Sequence, residues 1–283
     1  MTPPDRERGY AMVAAVAGIA VFALMALALV QSNQNDIVLV NAEVGQAKAA
    51  AAADAGLAIA LNGLLAKDRA NRWSIDGRPR TASFGGASLL IRIEDERGKV
   101  PINLLDDELA ARLMEAIGLG YGGAARTAAD SLIDWIDDDE EPRPDGAEVD
   151  YYQSRGIRPR NGPLQSIEEL AVIRGFSPKM VEQLKPFVTV NFGTGGFDAR
   201  YAHPRAIGVM LDGGADSPAA INRQRELDGQ RAAIELGDAI DLVGRPLTIT
   251  IEAERPDGTR SKRQVIVELT GADARPYIIR AFE

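Results

Sequence analysis

The chain has no cysteine, so neither a disulfide framework nor a thiolate metal site can form, and the redox compartment is left open. Histidine is nearly absent too: His203 stands alone. That excludes His-rich zinc sites, and a Ser-His-Asp arrangement would have to run through this one residue. Its surroundings, Tyr201-Ala202-His203-Pro204, read as a turn, which gives it a structural or surface role. Basic charge is in deficit, with 32 Lys and Arg against 41 Asp and Glu and a formal net charge of -9. General binding to phosphate backbones needs clustered Lys and Arg, so cationic partners fit better. At 283 residues there is room for one large or two modest folded units.

Charge of either sign is missing from Tyr10 to Val30, directly after a polar start that holds Arg6, Glu7 and Arg8. An apolar run of about 21 residues can span a bilayer as a helix, with its basic flank cytoplasmic. A secretory signal has a shorter apolar core and then a break. Here the helical rhythm continues beyond Gln31-Ser32-Asn33 through Val40, Val44, Ala47, Ala51, Ala55 and Ala58, which share one helix face. The pattern predicts one helix running to about Leu65. Its interior is mostly Ala, with Gly45, Gly56 and Gly63 as weak spots.

After an aperiodic stretch rich in Arg, Gly, Ser and Pro (69–86), which reads as a loop, Ser88 to Glu94 alternates Leu89, Ile91 and Ile93 with mostly polar neighbours, as a half-buried strand does. A turn follows at Asp95-Glu96-Arg97-Gly98. The alternation returns in Leu247–Glu252 and in Val265, Val267 and Leu269, around Pro256-Asp257-Gly258, which is a hairpin signal. Residues 276–282 add a final strand with Pro276 at its start or on an edge. Between these strands, 103–190 is mostly helical in pattern, as an inserted domain would be. Two apolar helix ends there meet glycine turns, at Ile117-Gly118-Leu119-Gly120 and Ile173-Arg174-Gly175-Phe176, similar to helix-hairpin-helix units. Ser166 and Ser177 read as helix N-caps, Glu169 would complete a capping box with Ser166, and Pro178 suits a first helical position.

The most telling segment runs from Asp134 to Tyr152, where only Arg143 offsets a crowd of carboxylates. Such crowding must be screened by solvent and salt or neutralised by a bound cation. Oxygen ligands without Cys or His favour a hard ion, and calcium over magnesium. Asp137, Asp139, Glu141, Asp145 and Glu148 fall at EF-hand spacings, but Pro142 stands where the loop requires glycine, so this is not an EF-hand. Trp135, Tyr151 and Tyr152 bracket the charges with large rings, as in a pinned loop.

Three features together resemble the K-type minor pseudopilins of type II secretion. The first is Arg8-Gly9 before the apolar run, similar to a pilin-type leader; cleavage would fall after Gly9, leaving Tyr10 as the new N-terminus. The second is Ala14 at the fifth mature position, where most pilins have a glutamate that K-type subunits typically lack. The third is Asp134-Trp135 with the acidic cluster, then Arg143-Pro144-Asp145-Gly146-Ala147-Glu148 and Tyr151-Tyr152, followed by Asn161-Gly162-Pro163 and Ser166-Ile167-Glu168-Glu169-Leu170. Beyond Val190 the likeness weakens at Asn191-Phe192-Gly193-Thr194.

The resemblance implies an α+β fold: a pilin-like long N-terminal helix plus an antiparallel sheet, with a large inserted all-α domain of helix-hairpin-helix or SAM-like type. The implied divisions are a cytoplasmic leader (1–9), a transmembrane part (10–32), a periplasmic helix with the first part of the pilin domain (33–102), the inserted domain (103–190) and the second part of the pilin domain (191–283). It also implies calcium held by Asp137, Asp139, Glu148 and Asp150, with Asp134, Asp138 and Asp145 as further candidates. The chain is then expected to be no enzyme but a single-pass inner-membrane protein with a periplasmic C-terminal part, cut by the prepilin peptidase and methylated. It would cap the pseudopilus beside I- and J-type subunits, work with the inner-membrane secretion platform, and bind no nucleic acid. The rivals are a DNA-uptake protein using the glycine turns, and a membrane-anchored hydrolase using paired carboxylates.

Overall fold

The computed structural model describes residues 6–68, 71–211 and 241–282. Helix α1 (Arg6–Leu64) is continuous for 59 residues, about 90 Å at the usual rise per residue. Its end is satisfied from the following loop: Trp73 N–H donates to the Gly63 carbonyl at 3.0 Å, and the Arg72 guanidinium reaches the Ala66 carbonyl at 3.2 Å. Gly9 and Tyr10 lie inside α1, while residues 1–5 of the expected leader fall outside the described residues. The uncharged stretch lies on α1 with Met12, Ile19, Phe22 and Leu24 exposed. Among the described residues no helix is long and apolar enough to cross a membrane, and description of the side chains in that stretch stops at Ala28.

The sheet takes the order β1-β2-β5-β6-β7, antiparallel throughout. Its strands are β1 (Arg80–Phe84), β2 (Ala87–Asp95), β5 (Pro246–Glu254), β6 (Arg260–Leu269) and β7 (Tyr277–Phe282). Period-two alternation puts Leu89, Ile91 and Ile93, Leu247, Ile249 and Ile251, and Val265, Val267 and Leu269 on one buried face. Each such side chain contributes about 1.5–3 kcal/mol on leaving water. Edge strand β1 corrects the expectation of an unbroken loop over 69–86. Arg80-Thr81-Ala82-Ser83-Phe84 has little apolar alternation because an edge strand at Gly85-Gly86 needs only the ladder to β2.

Two details of α1 go beyond the sequence pattern. The face through Val40, Val44, Ala47, Ala51 and Ala58 is exposed; the face on the sheet is Ala49, Ala52, Ala53, Ala60, Leu61 and Leu64. Nor are the glycines merely weak spots. A Cβ on Gly56 would stand 2.6 Å from Ile251 Cγ2, and one on Gly63 2.5 Å from the Trp73 ring. The helix gives up propensity there because only glycine lets its backbone settle onto the sheet.

Between the neighbouring strands β2 and β5 the chain leaves the sheet and forms a second, helical core. Its elements are β3 (Val100–Pro101), α2 (Asp107–Ala116), α3 (Gly123–Ile136), α4 (Val149–Gln153), a 3-10 turn at Ile167–Val172, α5 (Pro178–Leu184), β4 (Val188–Thr189) and α6 (Pro204–Met210). Leu113, Met114, Leu132, Tyr152, Leu170, Leu184 and Phe187 are fully buried in it. This region is not purely helical: β3 and β4 pair in parallel, Val100 with Val188 and Pro101 with Thr189, and close its base. It also runs past residue 190, because Ala206 and Val209 of α6 pack into the helical core. The turn read around His203 opens that helix; His203 Nδ1 accepts from Arg205 N–H at 3.2 Å, and its ring stacks on Phe187.

Buried charge ties this base to the sheet. Glu96 accepts from Lys99 and Thr248, each at 2.6 Å, and from Thr189 of β4. Arg245 bridges Asp95 at 3.0 Å and Asp198 at 2.5 Å.

Candidate metal site

Helix α3 ends at Ile136 and delivers Asp134, Trp135, Asp137 and Asp139 to one place, facing Glu148 at the N-cap of α4. Asp134 is fully buried and is a fastener: it accepts from Arg143 Nη1 at 2.9 Å, from Ala147 N–H at 2.8 Å and from Arg143 N–H at 3.2 Å. Gly146 is required here, since any Cβ would collide with the Asp134 carboxylate. Trp135 and Tyr152 meet edge to face at 5.0 Å, Tyr151 and Tyr152 at 5.2 Å, and Arg174 anchors the loop by donating to the Gly146 carbonyl at 2.6 Å. Burial pushes the Tyr152 hydroxyl up to about 12. The loop is pinned, as the flanking rings predicted.

Carboxylate oxygens of Asp137, Asp139 and Glu148 lie within 4.8 Å of one another. Asp137 gives one oxygen to Arg143 at 2.7 Å, and its other oxygen is buried without a partner. Asp139 accepts from Glu141 N–H at 2.8 Å. Glu148 is 6% exposed, and neither of its oxygens has a hydrogen-bond partner. Burial, then the charges of Asp134 and Asp137, pushes its carboxyl up to about 7; burial also raises Asp137. Burial works against the Arg143 charge, yet hydrogen bonds to Asp137, Asp134 and Asp107 overcome it and hold its pKa above the ordinary value. A single guanidinium thus pairs with three carboxylates, Asp107, Asp134 and Asp137.

Orphaned buried carboxylate oxygens cost several kcal/mol unless protonated or matched by a cation, so these residues fit a hard, oxygen-binding ion. Asp150 does not join the three: it is exposed on the first turn of α4, because the helix turns it away from Glu148. Among the further candidates, Asp138 is exposed, Asp145 pairs with Arg126 at 3.0 Å, and Asp134 is taken up by Arg143 and Ala147.

Elsewhere in the region, Ser177 caps α5 by accepting from Met180 N–H, with Pro178 at the first helical position. Ser166 makes no such bond, and Glu169 reaches back to Gln165 N–H at 3.0 Å, so the expected capping box does not form. The glycine turn at Gly175 packs against the Ala128 backbone of α3. An open polar cavity of about 500 Å³ lies at the base of the helical region, away from the acidic group; its Arg97, Arg200 and Arg245 are engaged by Asp198, Asp95 and backbone carbonyls.

The family described as Type II secretion system (T2SS), protein K matches residues 93–192, the span that holds the acidic group. Type II secretion system protein K of Klebsiella pneumoniae is 33% identical over 134 residues, covering 42% of this chain and 40% of that protein. The Dickeya chrysanthemi protein of the same name is 35% identical over 66 residues, covering 23% and 18%. The chain therefore matches less than half the length of these relatives. A chain of the crystal structure of the GspK-GspI-GspJ complex from enterotoxigenic Escherichia coli shares the fold with a TM-score of 0.53 and 13% identity, over 89% of this chain and 97% of that one. Over these residues the chain is similar to protein K of type II secretion systems. The residues that match protein K, 93–192, include the acidic loop on which the sequence resemblance rested.

Proposed function

We propose that this protein is the K-type minor pseudopilin at the tip of a type II secretion pseudopilus, where it helps start assembly and plays a structural part, not a catalytic one. The observation that carries the reading is the coincidence of the family match, 93–192, with the helical region that is opened between β2 and β5 and holds the acidic group. The partners are the I- and J-type minor subunits, a reading supported by the fold shared with a chain of the GspK-GspI-GspJ complex. The exposed Val40, Val44, Ala47, Ala51 and Ala58 face of α1 is narrow enough for a neighbouring helix to approach closely. The uncharged stretch on α1 anchors the chain as a single inner-membrane span until the prepilin peptidase cuts after Gly9, and the rest of the chain is periplasmic.

The helical region is an inserted domain whose bulk keeps the subunit out of the filament body. Calcium is its structural ion: Asp137, Asp139 and Glu148 would hold it, and it would supply the positive charge that Arg143 alone does not. Immunogold labelling of purified filaments tests the placement. Label confined to one end is expected; label spread along the shaft contradicts it.

A further inference from the structure

The acidic group has a fourth neighbour that is not acidic. Asn161 belongs to the Asn161-Gly162-Pro163 stretch, in a different loop from the three carboxylates. Its backbone is left-handed, with φ of 45°, a conformation that Asn tolerates and most residues avoid. The loop is held in place at both ends of this contact: Gly162 N–H donates to the Trp135 carbonyl at 3.1 Å, and Asn161 Nδ2 donates to the Asp139 carbonyl at 2.8 Å. Because Nδ2 must face that carbonyl, the orientation of the amide is fixed chemically. Its other end, Oδ1, one carbon away, is buried and accepts from nothing. Orphaned acceptors therefore come from three segments: Asp137 after α3, Glu148 before α4, and Asn161 beyond both. A buried neutral carbonyl without a donor suits calcium, which takes amide carbonyls alongside carboxylates.

We infer that Asn161 Oδ1 is a ligand of the ion held by Asp137, Asp139 and Glu148, so that the ion clamps the Asn161 loop to the end of α3. The inference rests on the calcium reading above and adds a residue and a mechanical consequence to it: removing the ion frees the Asn161 loop as well as the acidic one.

The test is calorimetric titration of the detergent-solubilised full chain with calcium chloride, using Asn161→Gly and Asn161→Asp. Glycine removes the side chain and keeps the left-handed backbone; aspartate keeps an oxygen and loses the Nδ2 donor. Calcium affinity is expected to fall about tenfold in Asn161→Gly, the lower end of what a lost supporting contact costs a metal site, and to be retained in Asn161→Asp. Europium luminescence lifetimes in light and heavy water give a second readout, in which Asn161→Gly gains about one bound water in place of the lost oxygen. Unchanged affinity and hydration in Asn161→Gly overturn the assignment while the calcium reading stands. Equal weakening in both variants also overturns it, since the amide would then act through its bond to Asp139. A wild-type chain that binds no calcium removes the calcium reading itself, and the assignment with it.

Discussion

The sheet region and the helical region both bury apolar cores, yet they treat buried charge differently. At the base of the sheet, each buried acid has a cation at hand: Asp95 has Arg245 at 3.0 Å and Glu96 has Lys99 at 2.6 Å. In the helical region Glu148 is also buried, and among the described residues no Lys or Arg pairs with it. The first region pairs its buried acids with its own cations, whereas the carboxylates of the second call for a proton or a metal ion. Buried ions stripped of partners are strongly destabilising, so the two regions should respond to different perturbations.

The largest effect is expected from Asp134→Ala. It strips Arg143 and the Ala147 N–H of their buried acceptor and should cost about 3–5 kcal/mol, the usual loss when one partner of a buried pair is removed. Denaturant unfolding would measure it, with the helical region unfolding first. Next is Gly56→Val, which drives a side chain into Ile251 and should cost about 1–3 kcal/mol by overpacking. Its loss should be the same with calcium or with chelator, because it lies in the region that needs no ion. Calcium rescue of Gly56→Val would blur the comparison.

A smaller effect concerns pH. Glu148 titrates near 7 in the folded metal-free chain, above the ordinary 4.5. A carboxyl with a raised folded pKa gives stability that is fully present below its unfolded value and lost as pH rises through the folded one. Melting temperature in chelator should therefore fall between about pH 5 and pH 8, and calcium should flatten that decline. Glu148→Gln should remove the part of the decline near pH 7. Smallest of all, Ser177→Ala removes the cap of α5; with a bond of 3.4 Å the loss should be about 0.5 kcal/mol, the low end for N-caps.

The same contrast decided what could be read from the residues alone. Strand alternation is a strong signal, so β2, β5 and β6 were legible, and β7 with them. Edge strand β1 was not, since pairing along one edge leaves little apolar pattern. In α1 the extent was legible but the buried face was not. The stripe that stands out by hydrophobicity, Val40 and Val44, is exposed, while the sheet selects Gly56 and Gly63 for closeness, which no hydropathy pattern records.

In the helical region the elements are short, and α4 and α6 are set by tertiary contacts. The acidic segment announced its chemistry through composition, and Asp137, Asp139 and Glu148 do converge. Which carboxylates are free depends on Arg143, whose pairing with Asp134 and Asp137 spacing cannot foretell. Asp150, two residues beyond Glu148 on the first turn of α4, is exposed and lies outside the group of three, which spacing alone does not tell. Asn161 carried a signal in Asn161-Gly162-Pro163, but its role emerges only from the distance to Asp139.

Whether an ion completes the helical region is read most directly from thermal unfolding of the full chain in detergent, with calcium, with magnesium and with chelator. A ligand that binds only the folded state raises the melting temperature with its concentration. A rise is expected with calcium, little or none with magnesium, and the rise is lost in Glu148→Gln. Identical melting in all three conditions would contradict it and leave the acidic loop balanced by protons, solvent and Arg143.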